Sequence, residues 1–191
     1  MRTFMFVAMA ALAAITTPAL ADCKSDLDAI FKAQLATPYR TEMTIKGPSQ
    51  PMTVTAEVIY PDSFHMKAAQ METIMVKKKA WMKMGGTWQA MPAEAAAQFS
   101  AMINSGISKG VAAVKDVQCL GTQSYEGGSY DAYEFNTAGE MMGIQSTANV
   151  TLYASDGLPA WLVVDGEAMG KKSVTVQKVT FDPSIKITPP K

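Results

Sequence analysis

From residue 39 to 92 the chain alternates apolar and polar side chains with a period of two. Tyr39, Thr41, Met43 and Ile45 fall on one side of an extended backbone and Arg40, Glu42, Thr44 and Lys46 on the other, the pattern of a strand with one wet face. The next run repeats it. Met52, Val54, Ala56, Val58 and Tyr60 share a face opposite Thr53, Thr55 and Glu57, and Phe64, Met66 and Ala68 follow a Pro61-Asp62 turn. Further strands are predicted at 72–76 and 79–84. Gly85-Gly86 then makes a hairpin turn and 87–91 returns with Trp88. Pro48 and Pro51 keep the first two strands from joining through a tight two-residue turn.

Two segments break this rhythm with helical spacing. Ser25 followed by Asp28 is a capping-box-like start, and Leu27, Ile30, Phe31 and Leu35 recur every three to four residues until Pro38 ends the run. Pro92 opens a second helix with a stripe of Ala95, Phe99, Met102 and Ile103. Asn104-Ser105-Gly106 is expected to stop it, and Gly110 to weaken any turn continuing through 111–114. A second set of strands is predicted at 114–120, 130–135, 147–153, 158–165 and 173–181. Their turns are Gly127-Gly128, Asp156-Gly157 and Asp165-Gly166-Glu167. Helix, strands, helical insertion, strands: this order predicts a mainly β, α+β domain. It is one strongly curved antiparallel sheet with both helices over its concave side.

The first residues predict export. Arg2, the apolar run 4–15 and Ala19-Leu20-Ala21 have the form of a signal peptide over 1–21, leaving one domain, 22–191. Cys23 follows the bulky, acidic Asp22 and not a small residue, so a soluble, unlipidated periplasmic protein is expected. In that oxidising setting Cys23 and Cys119 are expected to form a disulfide. Without Arg2 the 17 basic and 17 acidic residues become 16 and 17, a net charge of −1. This balance gives nucleic acid no purchase. Lys77-Lys78-Lys79 is read as a solvated connection, with a membrane or envelope-protein contact as the sharper alternative, and the chain is expected to be a monomer.

Methionine changes the picture. Met1, Met5 and Met9 of the fifteen methionines lie in the leader, leaving twelve, among them Met141 and Met142. Such unbranched, polarisable side chains repack around ligands of differing shape. The expected apolar cavity is lined by Met43, Ile45, Val54, Val58, Phe64, Met66, Ile74, Val76 and Met82, with Phe99, Met102 and Ile103 from the covering helix. Trp81 and Trp88 either stand at its rim or staple their hairpin. Methionine sulfur also suits Cu(I), but the single histidine, His65, is expected on the polar face, exposed and away from Met82 and Met84. There is no Gly-x-Ser-x-Gly elbow and His65 has no evident catalytic partner, so neither an enzyme nor a cofactor or metal site is expected.

Tyr60-Pro61-Asp62-Ser63-Phe64, the hairpin from Ala80-Trp81 through Gly85-Gly86-Thr87-Trp88, and the closing Thr180-Phe181-Asp182-Pro183 resemble the LolA/LolB-like superfamily. This group also includes LppX-type lipid carriers and the N-terminal domain of RseB/MucB-type regulators. The resemblance implies a half-open β-barrel of about eleven strands with a helical lid over an apolar cavity. It implies a non-catalytic carrier for a lipid, a lipoprotein acyl chain or another amphiphile in outer-membrane biogenesis. The alternative is an envelope sensor or assembly partner that binds a polypeptide through the same groove. The chain departs from a lipidated LolB-type receptor at Asp22-Cys23, and it is too short for the second domain of an RseB-type regulator.

Overall fold

A computed structural model describes residues 20–48, 50–112, 114–141 and 144–191. Residues 1–19 of the expected signal peptide lie outside the described residues. The elements are α1 (Leu20–Gln34), β1 (Tyr39–Lys46), β2 (Met52–Ile59), β3 (Ser63–Ala68), β4 (Met71–Val76), β5 (Lys79–Met84) and β6 (Thr87–Ala90). They continue with α2 (Ala93–Ala112), β7 (Lys115–Tyr125), β8 (Gly128–Met141), β9 (Ile144–Ser155), β10 (Leu158–Ala168) and β11 (Lys171–Phe181). All eleven strands form one sheet in the order β6-β5-β4-β3-β2-β1-β11-β10-β9-β8-β7. The sheet is curved and unclosed, with a helical lid.

Two meanders are sewn together by one long-range pair. β1 and β11 run antiparallel with Tyr39 opposite Phe181 and Ile45 opposite Thr175, and the two rings at the start of this ladder lie 5.8 Å apart. Cross-strand pairs of this kind are the unit of sheet stability. Among the described residues the β6 and β7 edges stay unpaired. On the outer face Tyr125 stacks on Tyr153 with centroids 4.3 Å apart, and Trp161 meets Tyr125 edge-on.

Several boundaries differ from the sequence reading. α1 starts at Leu20, because Leu20 and Ala21 are strong helix formers that extend it past Ser25. α2 runs unbroken to Ala112: a glycine inside a helix costs only about 1 kcal/mol against alanine, too little to end it alone. Gly166 and Glu167 lie inside β10, and the turn comes at Met169-Gly170. There both residues have positive φ, 52° and 70°, as a two-residue hairpin requires.

Candidate functional site

Both helices cover the same face of the sheet. α1 presents Leu27 and Ile30, both buried, to Phe135, Val150, Leu152 and Ala154 of β8 and β9, with Phe31, Leu162 and Val164 around them. Phe31 meets Phe135 edge-on at 6.0 Å. The Cys23–Cys119 disulfide ties the start of α1 to β7, with Cα atoms 5.5 Å apart. At the other end of the sheet α2 sets Ala96 and Phe99 against Phe64, Met75 and Ala80. Phe64 and Phe99 have ring centroids 5.3 Å apart.

Between these clusters lies the stretch of helix-facing sheet that matters here. Met43 pairs with Val54 and Ile45 with Met52 across β1–β2, so their side chains point the same way as Phe64 and Met75. Met43, Ile45, Val54 and Val58 are half-buried, and among the described residues they belong to neither cluster. Met82 stands on the same face opposite Thr73, and Met66 packs at the edge of the α2 cluster. Beyond β11 the wall changes character. Thr137, Ser146, Ala148, Val164, Gly166 and Ser173 line a half-open cavity of about 230 Å³ on this face, because small side chains leave space that leucine would fill.

Ile74 and Val76 are corrected to the other face. Phe64 pairs with Met75 and His65 with Ile74, so Thr73 and Met75 take the helix-facing positions of β4 while Ile74 and Val76 point outward. Every residue from Thr73 to Met75 is buried, so alternation in polarity could not choose between the faces. The Thr73 hydroxyl oxygen, on a residue only 1% exposed, has no hydrogen-bond partner among the described residues, and it lies between Met66 and Met82 across the strands. Met102 and Ile103 lie in α2, with side chains outside the described ones.

The outer face carries charge. Glu72 Oε1 lies 2.7 Å from His65 Nε2 and 3.3 Å from Lys67 Nζ, and its Oε2 lies 3.4 Å from Lys83 Nζ. Glu57 joins from the next strand, 3.9 Å from His65 Nδ1 and 2.6 Å from Arg40. His65 is therefore 21% exposed and held between carboxylates, not exposed and partnerless. The signal was the hairpin: with Lys67 opposite Glu72, a glutamate seven residues on returns beside the imidazole. Burial pushes the Glu72 carboxyl up, but the hydrogen bonds from His65, Lys67 and Lys83 outweigh it and hold its pKa below the usual carboxylate value. The Arg40 guanidinium is held above its ordinary pKa by its hydrogen bond to Glu57. Trp81 and Trp88 stand on this outer face across β5–β6, where Lys83 Nζ lies 5.5 Å above the Trp88 ring.

A larger outer cleft, about 630 Å³, is lined by Lys115, Asn136, Asn149, Asp165, Glu167 and Lys172 among others. Its walls are mixed, with Ala138 and Val174 standing among these polar and charged groups on the uncovered face of the sheet. Among the described residues no group of three or more His, Cys, Asp or Glu side chains could hold a metal ion, and His65 faces away from Met82 and Met84. Among them, too, no helix is long and apolar enough to cross a membrane.

No family model and no curated protein matches the chain. Solved structures do match it. LprF from Mycobacterium bovis superposes with a TM-score of 0.58 at 12% identity, over 89% of this chain and 97% of that one. The Mycobacterium tuberculosis lipoprotein LppX gives 0.59 at 8% identity, over 89% and 100%. This chain has the fold of LprF and LppX. MucB, solved as the Pseudomonas aeruginosa MucA/MucB complex, gives 0.50 at 14% identity, over 85% of this chain and 59% of that one. The LprF/LppX fold is thus shared end to end, whereas this chain spans little more than half of the MucA/MucB match.

Proposed function

We propose that this protein is a non-catalytic, periplasmic carrier that holds a lipid, a lipoprotein acyl chain or a similar amphiphile on the helix-covered face of its half-barrel, after removal of residues 1–21. The observation that carries this is the unclaimed middle of that face. Two separate clusters anchor the two helices, and Met43, Ile45, Val54 and Val58 lie between them with the small-residue cavity of β8–β11 alongside. Ligand sites of this kind are concave and mostly apolar, with few polar groups. An acyl chain of about sixteen carbons offers on the order of 10 kcal/mol of burial before ordering costs, at roughly 0.8 kcal/mol per methylene.

The test is purification from a periplasm without detergent, followed by native mass spectrometry and analysis of an organic extract. A stoichiometric lipid is the expected result. Apo protein that instead captures a polypeptide would overturn the reading.

That second reading, an envelope sensor or assembly partner, has one observation behind it: β7 is an exposed edge strand of 11 residues, and extended peptides add to such edges. Its register shifts twice, between Lys115 and Gln118 and between Cys119 and Gly121. Asp116 and Gly121 there adopt positive φ. Bulges of this sort turn an edge away from pairing, which favours the carrier.

A further inference from the structure

Among the described residues, four methionines project into solvent at one end of the half-barrel. Met52 is 43% exposed, Met71 42%, Met84 60% and Met169 77%. Met52 opens β2, Met71 opens β4, Met84 closes β5 and Met169 sits in the β10–β11 turn, positions that an antiparallel meander brings to the same end. Met71 and Met84 lie one step beyond the Glu72–Lys83 pair, side by side on the helix-facing side, and Met52 shares that side with Ile45. They therefore border the open end of the face proposed above as the ligand site.

Two features set this rim apart from the single exposed apolar residues that any surface carries. Met169 occupies the first central position of its hairpin at φ 52°, where Asn, Asp or Gly is usual, so an apolar side chain is presented to water at some conformational cost. The rim is also basic. Lys46, Lys171 and Lys172 stand at the same end, all exposed, Lys46 and Lys172 leaving from the outer face and Lys171 from the helix-facing one; Glu167 opposite Lys172 and Glu72 beside Met71 are acids at that end. Flexible apolar side chains edged by lysine are the chemistry of a surface that enters a headgroup layer and is drawn by anionic lipid.

We propose that this methionine-lysine rim docks the protein on an anionic lipid bilayer. The thioethers enter the headgroup boundary and the lysines lie against lipid phosphates. Docked in this way, the open end of the concave face meets the membrane, and a hydrophobic ligand passes between the two without crossing water. The inference goes beyond the carrier reading, because docking is measurable whether or not a lipid is carried.

The experiment is flotation of the purified protein with phosphatidylglycerol-containing vesicles and with vesicles of phosphatidylcholine alone. The protein is expected to float with the first, to float much less with the second, and to be released by salt. M52S/M71S/M84S/M169S should weaken flotation about tenfold, and K171E/K172E should remove the preference for anionic lipid. M84S and M169S alone read the same loss in smaller steps should the quadruple variant not fold, as thermal unfolding would reveal. Protein that stays soluble with phosphatidylglycerol vesicles, or floats equally well without the four methionines, overturns the proposal. Native mass spectrometry of the same variants reads carriage separately: a variant that retains its lipid yet no longer floats has lost docking alone.

Discussion

Cys23 and Cys119, 96 residues apart, are joined with Cα atoms 5.5 Å apart, and the loop they close contains β1 through β6 and all of α2. The bond fastens α1 to the far edge of the sheet and constrains the unfolded chain over more than half of the described residues. A C23A/C119A variant is expected to lose about 2–5 kcal/mol of stability, the range for long loops. Urea unfolding of the two proteins under oxidising conditions checks this, and coincident midpoints would contradict it.

Phe99 holds the lid. Its ring meets Phe64 at 5.3 Å, and among the described side chains Ala96 is the other α2 residue in that cluster. Phe99→Ala is expected to cost about 2 kcal/mol, below the range for a fully buried phenylalanine because Phe99 is half-buried. Amide exchange should rise across α2 and stay unchanged in β8–β10. A rise spread evenly over the sheet would show that the lid is not a separate unit.

Val54 lies opposite Met43 in the unclaimed middle of the concave face. On the carrier reading, Val54→Trp places a bulky ring on the proposed binding face, so the protein still folds but the lipid recovered from a detergent-free preparation falls severalfold. Undiminished lipid would move the ligand elsewhere.

Thr73 has a buried hydroxyl with no partner among the described residues. Thr73→Val keeps the shape and removes the unsatisfied group, so the ligand-free protein should gain about 1 kcal/mol. A loss of that size, measured by denaturant unfolding, would mean that the hydroxyl does have a partner.

Glu72 sets a pH dependence. Its folded pKa lies below the usual value of 4.5, so its stabilisation is fully present above that value and fades as the pH falls through the folded pKa. Glu72→Gln should cost about 1 kcal/mol near neutrality, the exposed lysine arms adding little. The gap between variant and wild type should close in acid. A gap that stays constant from neutral pH to pH about 2 would remove Glu72 from the account.

Much of this architecture was legible in the chain. Alternation in β1, β2 and β3 assigned Met43, Ile45, Val54, Val58, Phe64 and Met66 to one face, because side-chain direction in a strand is a local backbone property of period two. Turn chemistry at Gly85-Gly86 and Asp156-Gly157 was equally local. The same logic failed at β4, where Thr73, Ile74 and Met75 are all buried. Only the register that pairs Phe64 with Met75 turned Ile74 and Val76 outward and brought Glu72 to His65. Period two determines which residues share a face; which face is covered, which strand lies beside which, and where space remains are settled by burial summed over the whole sheet. The pairing of Tyr39 with Phe181 and the gathering of Met52, Met71, Met84 and Met169 at one rim belong to that second kind: they join residues too far apart in the chain for any local pattern to connect.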